Sequence, residues 1–170
     1  MSFLMDRNGS ISVIRVGTVA ALLGLILVVG GWLAFTISRS SFQQPLTVET
    51  FPGVEEWGLI ETSNISRKLL YRTNTATPEQ VVEHYSQIMQ RDFANTGESC
   101  KRIPVEGNYS NYTPDRRDLV PYEFRCLFVR QELAGTHHTI VTIQPGTYDE
   151  DPERNNEGYT VIEHEQQWES

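Results

Sequence analysis

Histidines are the residues of this chain best suited to proton transfer or metal binding, and there are 4 of them in 170 residues. His137 and His138 are adjacent in a segment with strand character, so we expect their side chains on opposite faces. His138 and His164 would meet only if their strands paired, and two imidazoles are fewer than the three or four ligands of a zinc site. His84 is expected to face solvent. The pattern therefore predicts no metal, no cofactor and no catalytic residue.

The two cysteines, Cys100 and Cys126, favour a structural role. Neither belongs to a Cys-x-x-Cys pair, so the motifs of redox proteins, c-type haem attachment and zinc knuckles are missing. In an oxidising compartment the pair would close a loop of about 27 residues and add on the order of 3 kcal/mol to stability. We predict this disulfide, and two free, buried thiols are the alternative.

The densest run of charge consists of Asp149, Glu150, Asp151 and Glu153. Carboxylate oxygens suit calcium, but the run lacks the regular spacing and the central glycine of a calcium-binding loop. We expect a solvated loop between two strands. The alternative is a docking patch for a basic protein, such as a soluble electron carrier.

Charge is distributed unevenly along the chain, which has a formal net charge of −8. Asp6, Arg7 and Arg15 are the only ionised side chains before residue 38, so the remaining 12 basic and 21 acidic residues give the rest of the chain a charge of −9. Nucleic acids and anionic membrane surfaces both select clustered lysine and arginine, so neither is an expected partner of this acidic part.

The stretch Val16–Ile37 contains no charged residue and predicts a transmembrane helix. At 1.5 Å per residue it would be roughly 33 Å long, enough to cross a hydrocarbon core of about 30 Å. The apolar core of a cleaved signal peptide is shorter, about 7 to 15 residues, and residues 38–42 make a poor cleavage site. We therefore predict a retained signal anchor and a single-pass protein of the cell membrane.

Positive charge beside the span sets its predicted orientation. Lysine and arginine in short flanks remain on the cytoplasmic side. Arg7 and Arg15 outnumber Asp6 in the head, residues 1–15. We therefore expect a cytoplasmic head and a body on the outer side, either periplasmic or extracellular.

Small residues recur along one face of the predicted span, at steps of four, three, seven and three residues. They are Gly17, Ala21, Gly24, Gly31 and Ala34. Such a face lets another helix approach closely, and close packing drives helix association in the lipid bilayer. It predicts that other subunits of a membrane complex pack here, with lipid on the opposite face. The alternative is that glycine and alanine are simply common in membrane helices.

The sequence beyond the span predicts a polar tether, residues 38–53, and one folded domain, residues 54–170. The clearest helix begins at Thr77, where Pro78 and Gln80 complete a capping box. Apolar residues at spacings of three and four then form one stripe: Val81, Val82, Tyr85, Ile88 and Met89. An amphipathic helix of about 17 residues is expected, ending near residues 95–97.

Runs of apolar and β-branched residues predict strands on either side of this helix. They cover residues 57–62, 67–73, 100–104, 122–131, 136–144 and 159–164. In the fourth run, Tyr122, Phe124, Cys126 and Phe128 share one face and should point to the core. We predict an α+β fold in which the helix packs on an antiparallel sheet of about 4–6 strands.

The stretch from Arg72 to Tyr85 resembles a recurrent bacterial arrangement. In it a strand ends in a Thr/Ser-Pro-Glu cap, here Thr77-Pro78-Glu79, a helix carries a tyrosine two turns later, and several strands follow. A chain of one anchor and one small outer domain is similar to single-span accessory subunits of bacterial electron-transfer complexes, such as alternative complex III and photosynthetic complexes. The resemblance covers roughly residues 57–144 and brings no catalytic residues.

These features predict a non-catalytic accessory or structural subunit of a bacterial membrane complex, with respiratory or photosynthetic electron transfer as the expected setting. No serine-nucleophile elbow or phosphate-binding glycine loop occurs in the sequence. One alternative is an enzyme that uses the histidines, which requires His138 and His164 to converge in a pocket. The other is a free-standing ligand-binding module with an open aromatic cleft. A closed core would count against that cleft if it buried four aromatic residues, Tyr85, Phe93, Phe124 and Phe128.

Overall fold

The computed structural model describes residues 13–41, 45–58, 60–63, 65–96, 98–132 and 135–168. The chain divides into two compact units, Met1–Ser41 and Phe42–Ser170. Asp6 and Arg7, which contribute to the predicted orientation, lie outside the described residues, and so does Gly97, at the predicted helix end.

The first helix, α1, covers Val13–Ser41. Within it, Val16–Ile37 is long and apolar enough to cross a membrane, and none of that stretch is buried. The predicted candidate span near the amino terminus is therefore confirmed. The helix extends beyond the uncharged stretch at both ends because neither flank contains a proline or glycine that would end it.

The second unit is built on a sheet of seven strands. They are β1 (Glu55–Glu56), β2 (Glu61–Thr62), β3 (Ser66–Thr73), β4 (Lys101–Ile103), β5 (Glu123–Glu132), β6 (Gly135–Pro145) and β7 (Thr160–Trp168). The order across the sheet is β1-β3-β7-β6-β5-β4, and β2 also pairs with β3. Every pairing is antiparallel. The α+β prediction is confirmed.

The sheet has more strands than predicted because the expected strand at residues 57–62 is divided. The structure has β1 before this stretch and β2 at its end, each of two residues. Gly58, between them, has a φ of +81°, which a strand cannot accommodate. Both short strands pair with β3, so together they protect its outer edge.

The second helix, α2, covers Pro78–Asp92, and a short 3₁₀ turn follows at Ala94–Thr96. The predicted capping box is present, because the Thr77 side chain accepts the Gln80 N–H and the Gln80 side chain accepts the Thr77 N–H. The stripe faces the sheet, with Val81, Tyr85, Ile88 and Met89 buried and Val82 half-buried. The helix is therefore held by a local cap and by nonlocal burial.

One face of the sheet packs against α2 and forms the hydrophobic core. Five inward side chains are fully buried: Cys126, Phe128, Val141, Ile143 and Ile162. They come from β5, β6 and β7, the three adjacent strands at the centre of the sheet. The predicted inward face of β5 is confirmed, since Phe124 also packs against this cluster.

Residues 45–51, called here the lead-in segment, are part of the core. Leu46 and Val48 are each only 3% exposed and join the same hydrophobic cluster as α2. The Leu46 carbonyl accepts hydrogen bonds from Thr139 Oγ1 at 2.6 Å and from Gln166 Nε2 at 3.2 Å. The predicted tether, residues 38–53, therefore overlaps the folded domain, because two apolar side chains in it find a buried site on the sheet.

Cys100 and Cys126 form a disulfide, as predicted. Lys101 pairs with Arg125, so Cys100 stands beside Cys126 at the start of this strand pair. Cys126 is fully buried on the core face of β5. The bond therefore fastens the chain leaving α2 to the sheet.

Candidate functional site

The small residues of α1 form an open face. At about 100° per residue, Gly17, Ala21, Gly24, Gly31 and Ala34 fall within an arc of roughly 140°. All five are exposed. A Cβ built on Gly17, Gly24 or Gly31 meets no described atom within 4 Å, so packing among the described residues does not require glycine there. The face has the shape that close helix–helix contact needs.

The rest of α1 suits a lipid environment. Large apolar side chains such as Leu22, Ile26 and Leu33 occupy the opposite side and are 48–65% exposed. The two threonines return their hydroxyl groups to the helix: Thr18 Oγ1 donates to the Ile14 carbonyl at 2.9 Å and Thr36 Oγ1 to the Trp32 carbonyl at 2.6 Å. Both hydroxyl donors are therefore satisfied within the helix, as a hydrocarbon environment would require.

The histidines do not form the pair considered from the sequence. His138 lies opposite Gln167, whereas His164 lies opposite Val141, the residue three positions further along β6. Because side chains alternate along a strand, His138 and His164 point to opposite faces of the sheet. The convergence that the enzyme alternative requires of these two histidines is therefore not present. In the parts of the chain that are described, no group of three or more His, Cys, Asp or Glu residues is placed to hold a metal ion.

His164 instead makes a buried contact with α2. Its Nε2 atom lies 2.8 Å from the hydroxyl oxygen of Tyr85, and the two side chains are 1% and 0% exposed. The Tyr71 ring packs edge-on against the same imidazole, with centroids 5.3 Å apart. A hydrogen bond of this kind satisfies two polar groups that burial would otherwise leave unpaired.

The surroundings keep both members of this pair neutral. Burial lowers the pKa of His164 to about 4. Burial also raises the pKa of Tyr85 well above its ordinary value, although the nearby backbone of Phe51 acts in the opposite direction. Neutral imidazole and neutral phenol are therefore the stable forms near pH 7.

The sequence patterns did not predict the Tyr85–His164 pair, although the position of each residue indicated that it would point inward. Tyr85 lies on the apolar stripe of α2, and His164 follows Ile162 on the inward side of β7. Each could be predicted to point inward. Their contact depends on how α2 lies across the sheet, which local patterns do not encode.

His84 was expected to face solvent, but the structure places it in a half-buried position. Its ring packs edge-on against Phe51, with centroids 5.3 Å apart, and against Tyr85 at 5.4 Å. The imidazole is half-buried because the lead-in segment covers this side of α2. Its Nε2 atom is buried and has no hydrogen-bond partner among the described residues.

The acidic run lies in the loop between β6 and β7, with Glu150, Asp151 and Glu153 exposed. The Asp149 carboxylate accepts the Asp151 N–H at 2.9 Å, and the Asp151 carboxylate accepts the Glu153 N–H at 3.0 Å. The Trp57 indole N–H donates to the Glu153 carbonyl at 3.2 Å, which ties the loop to the far edge of the sheet. The carboxylates therefore shape a compact loop, and the docking patch stays a prediction.

The base of this loop depends on a close approach between two backbone segments. A Cβ built on Gly146 would overlap the backbone carbonyl of Asn156. The Gly146 N–H donates to the Tyr159 carbonyl at 2.7 Å, and the Asn156 N–H donates to the Thr147 carbonyl at 3.0 Å. Glycine is needed here because no larger residue leaves room for the second segment.

The four aromatic residues that would line an open cleft belong to a closed core. Tyr85 and Phe128 are fully buried, Phe93 is 9% exposed and Phe124 is half-buried. Their rings pack edge-on, with the Phe93 and Phe128 centroids 5.2 Å apart and those of Tyr85 and Phe128 6.2 Å apart. This packing counts against the ligand-binding cleft between helix and sheet.

An open groove of about 520 Å³ lies where the C-terminal end of α2 meets the second half of β5. Phe93 and Arg130 line it, and the Arg130 guanidinium lies 5.8 Å from the centre of the Phe93 ring. Asp92 and Glu98 are on its helix side. The groove is shallow and combines one basic with two acidic side chains, so its charges select no single class of ligand.

No family model, curated protein or solved structure matches this chain.

Proposed function

We propose that this chain is a non-catalytic accessory subunit of a multi-subunit membrane complex, anchored by α1 and exposing its α+β domain to the outer compartment. The observation that carries the proposal is the open face of small residues on an uncharged, exposed helix. It comprises Gly17, Ala21, Gly24, Gly31 and Ala34. Apolar surface alone gives little reason for helices to associate in lipid, so close backbone contact across such a face supplies the attraction.

The proposed orientation has two supports. Arg7 and Arg15 are the basic residues before the span, which favours a cytoplasmic amino terminus. The Cys100–Cys126 disulfide favours an oxidising compartment for the domain, since thiols are kept reduced in most cytosols.

We take electron-transfer assemblies as the class of complex to test first. The support is the resemblance in build to single-span subunits of such complexes, together with the charge of −9 carried beyond the span. An acidic domain attracts basic proteins over long range and speeds their encounter. The exposed acidic loop, with Glu150, Asp151 and Glu153, is the proposed contact for a basic soluble electron carrier.

Extraction from its native membrane in a mild detergent tests the subunit proposal. The chain should elute in a particle much larger than its own 19.4 kDa plus a micelle, together with constant partner proteins. A Gly24→Leu variant adds bulk to the small-residue face and should release the chain from that particle. Ile26→Phe, which enlarges the opposite face, is the matched control and should remain in it.

A wild-type particle of monomer size would end the proposal. So would a Gly24→Leu chain that stays in the large particle as firmly as Ile26→Phe, because the small-residue face would then carry no contact. Protease added to spheroplasts, from which any outer membrane barrier has been removed, tests orientation separately: the domain should be degraded, and its protection would place it in the cytoplasm.

A further inference from the structure

Tyr85 and its neighbour His84 bring three parts of the domain together in the core. The Tyr85 hydroxyl lies 2.8 Å from His164 Nε2 on β7. In the lead-in segment, the Phe51 ring packs edge-on against His84, with centroids 5.3 Å apart. Tyr85 itself belongs to α2. This part of the helix therefore contacts both the lead-in segment and a central strand.

The direction of the Tyr85–His164 hydrogen bond depends on the protons carried by His164. When the imidazole is neutral and Nε2 carries no proton, the Tyr85 O–H donates to that nitrogen. In an imidazolium both ring nitrogens are donors. Protonation of His164 would therefore remove the acceptor of the Tyr85 proton and place a full charge in the core.

Among the described residues, no group near His164 carries a negative charge that would offset a protonated imidazole. The titratable groups around His164 are Tyr85 on α2, with His84 beside it, and Tyr71 on β3. The neighbouring positions on β6 and β5 are Val141 and the disulfide-bonded Cys126. Burial is the cause of the lowered pKa of His164, and no charged group contributes to it.

We propose that the buried Tyr85–His164 contact is an acid-sensitive latch, which releases α2 and the lead-in segment that packs on it from the sheet when His164 takes up a proton. The open form binds the proton more tightly than the closed form, so the latch weakens as pH falls. The pKa of His164 is about 4 when closed and ordinarily 6.5. The latch is therefore fully stable above pH 6.5, weakens below it and has lost all of this stabilisation below pH 4.

Hydrogen exchange of the full-length protein in detergent micelles tests the latch at pH 7 and pH 5, where most carboxylates remain ionised. Protection factors in α2 and the lead-in segment should fall about 20-fold between these values, after correction for intrinsic exchange. A His164→Gln variant keeps a hydrogen-bond acceptor but cannot be protonated, so its protection should be unchanged. His138→Gln is the matched control, because this half-buried histidine faces the other side of the sheet, and it should keep the 20-fold fall.

Unchanged protection of the wild type at pH 5 would overturn the latch, and so would a fall that survives in His164→Gln. If His164→Gln does not fold, an NMR titration of the His164 imidazole in the wild type tests the latch instead. A pKa of His164 well below 6 supports the latch, and an ordinary value near 6.5 refutes it.

Discussion

Replacing Leu46 by alanine tests whether the lead-in segment stabilises the domain. Leu46 is 3% exposed, and its backbone carbonyl receives two buried hydrogen bonds, from Thr139 and Gln166. The substitution leaves those backbone bonds possible but removes most of a buried side chain. Truncation of a core leucine to alanine costs about 3 kcal/mol, the sum of lost burial and the cavity left behind.

Urea unfolding of the full-length protein in detergent measures this cost. With a slope of about 1.5 kcal/mol per molar urea, a loss of about 3 kcal/mol lowers the midpoint by about 2 M. The fluorescence of Trp57 and Trp168 reports on the domain, and a Trp32→Phe background removes the signal of α1.

The neighbouring Thr47 supplies the matched control. Its side chain is exposed, so Thr47→Ala should change the unfolding free energy by less than about 0.5 kcal/mol. If Leu46→Ala costs no more than Thr47→Ala, the lead-in segment contributes nothing to the core and the description of residues 45–51 as part of the domain is refuted.

Three further predictions concern the stability of the domain. Thr77→Ala removes one half of the capping box and should lower the unfolding free energy by about 1 kcal/mol in the same urea assay; an unchanged midpoint would show that the cap is dispensable. Reduction should lower that free energy by about 3 kcal/mol in the wild type and have no effect on a Cys100→Ser/Cys126→Ala double variant, which isolates the disulfide from other effects of the reductant. Gly146→Ala forces a Cβ against a neighbouring backbone and should cost about 1–3 kcal/mol, so a thermal midpoint equal to that of the wild type would contradict the close approach.

Local signals in the sequence were enough to predict α2. Thr77, Pro78 and Gln80 mark its start, and the spacing of Val81, Tyr85 and later apolar residues gives its buried face. Its end was predicted too far along, because Phe93 breaks the helical geometry before the 3₁₀ turn. Caps and periodicity act over a few residues, so they can be recognised without knowledge of the fold.

The lead-in segment could not be predicted in the same way. Leu46 and Val48 alternate with exposed Thr47 and Glu49, but the stretch is short, contains Pro45 and forms no strand. Its stability comes from partners that are far away in sequence. The Leu46 carbonyl accepts hydrogen bonds from Thr139 and Gln166, which lie 93 and 120 positions later in the chain. A polar composition therefore suggested a tether where the fold has a buried segment.

The register between β6 and β7 determines whether two histidines can come together. The antiparallel pairing of β6 with β7 places His138 opposite Gln167 and leaves His164 beside Val141. A shift of one residue would move every side chain of β6 to the other face. Sequence alone predicted the strands but not this register, so it could not exclude the pairing of His138 with His164.

The burial of Leu46 has a mechanical consequence. Only residues 42–44 separate the end of α1 from Pro45, and the chain then enters the core directly. A pull on Pro45 is resisted by the burial of the Leu46 side chain and by the hydrogen bonds that its carbonyl accepts from Thr139 and Gln166. A force applied at Pro45 is thus transmitted to the middle of the sheet.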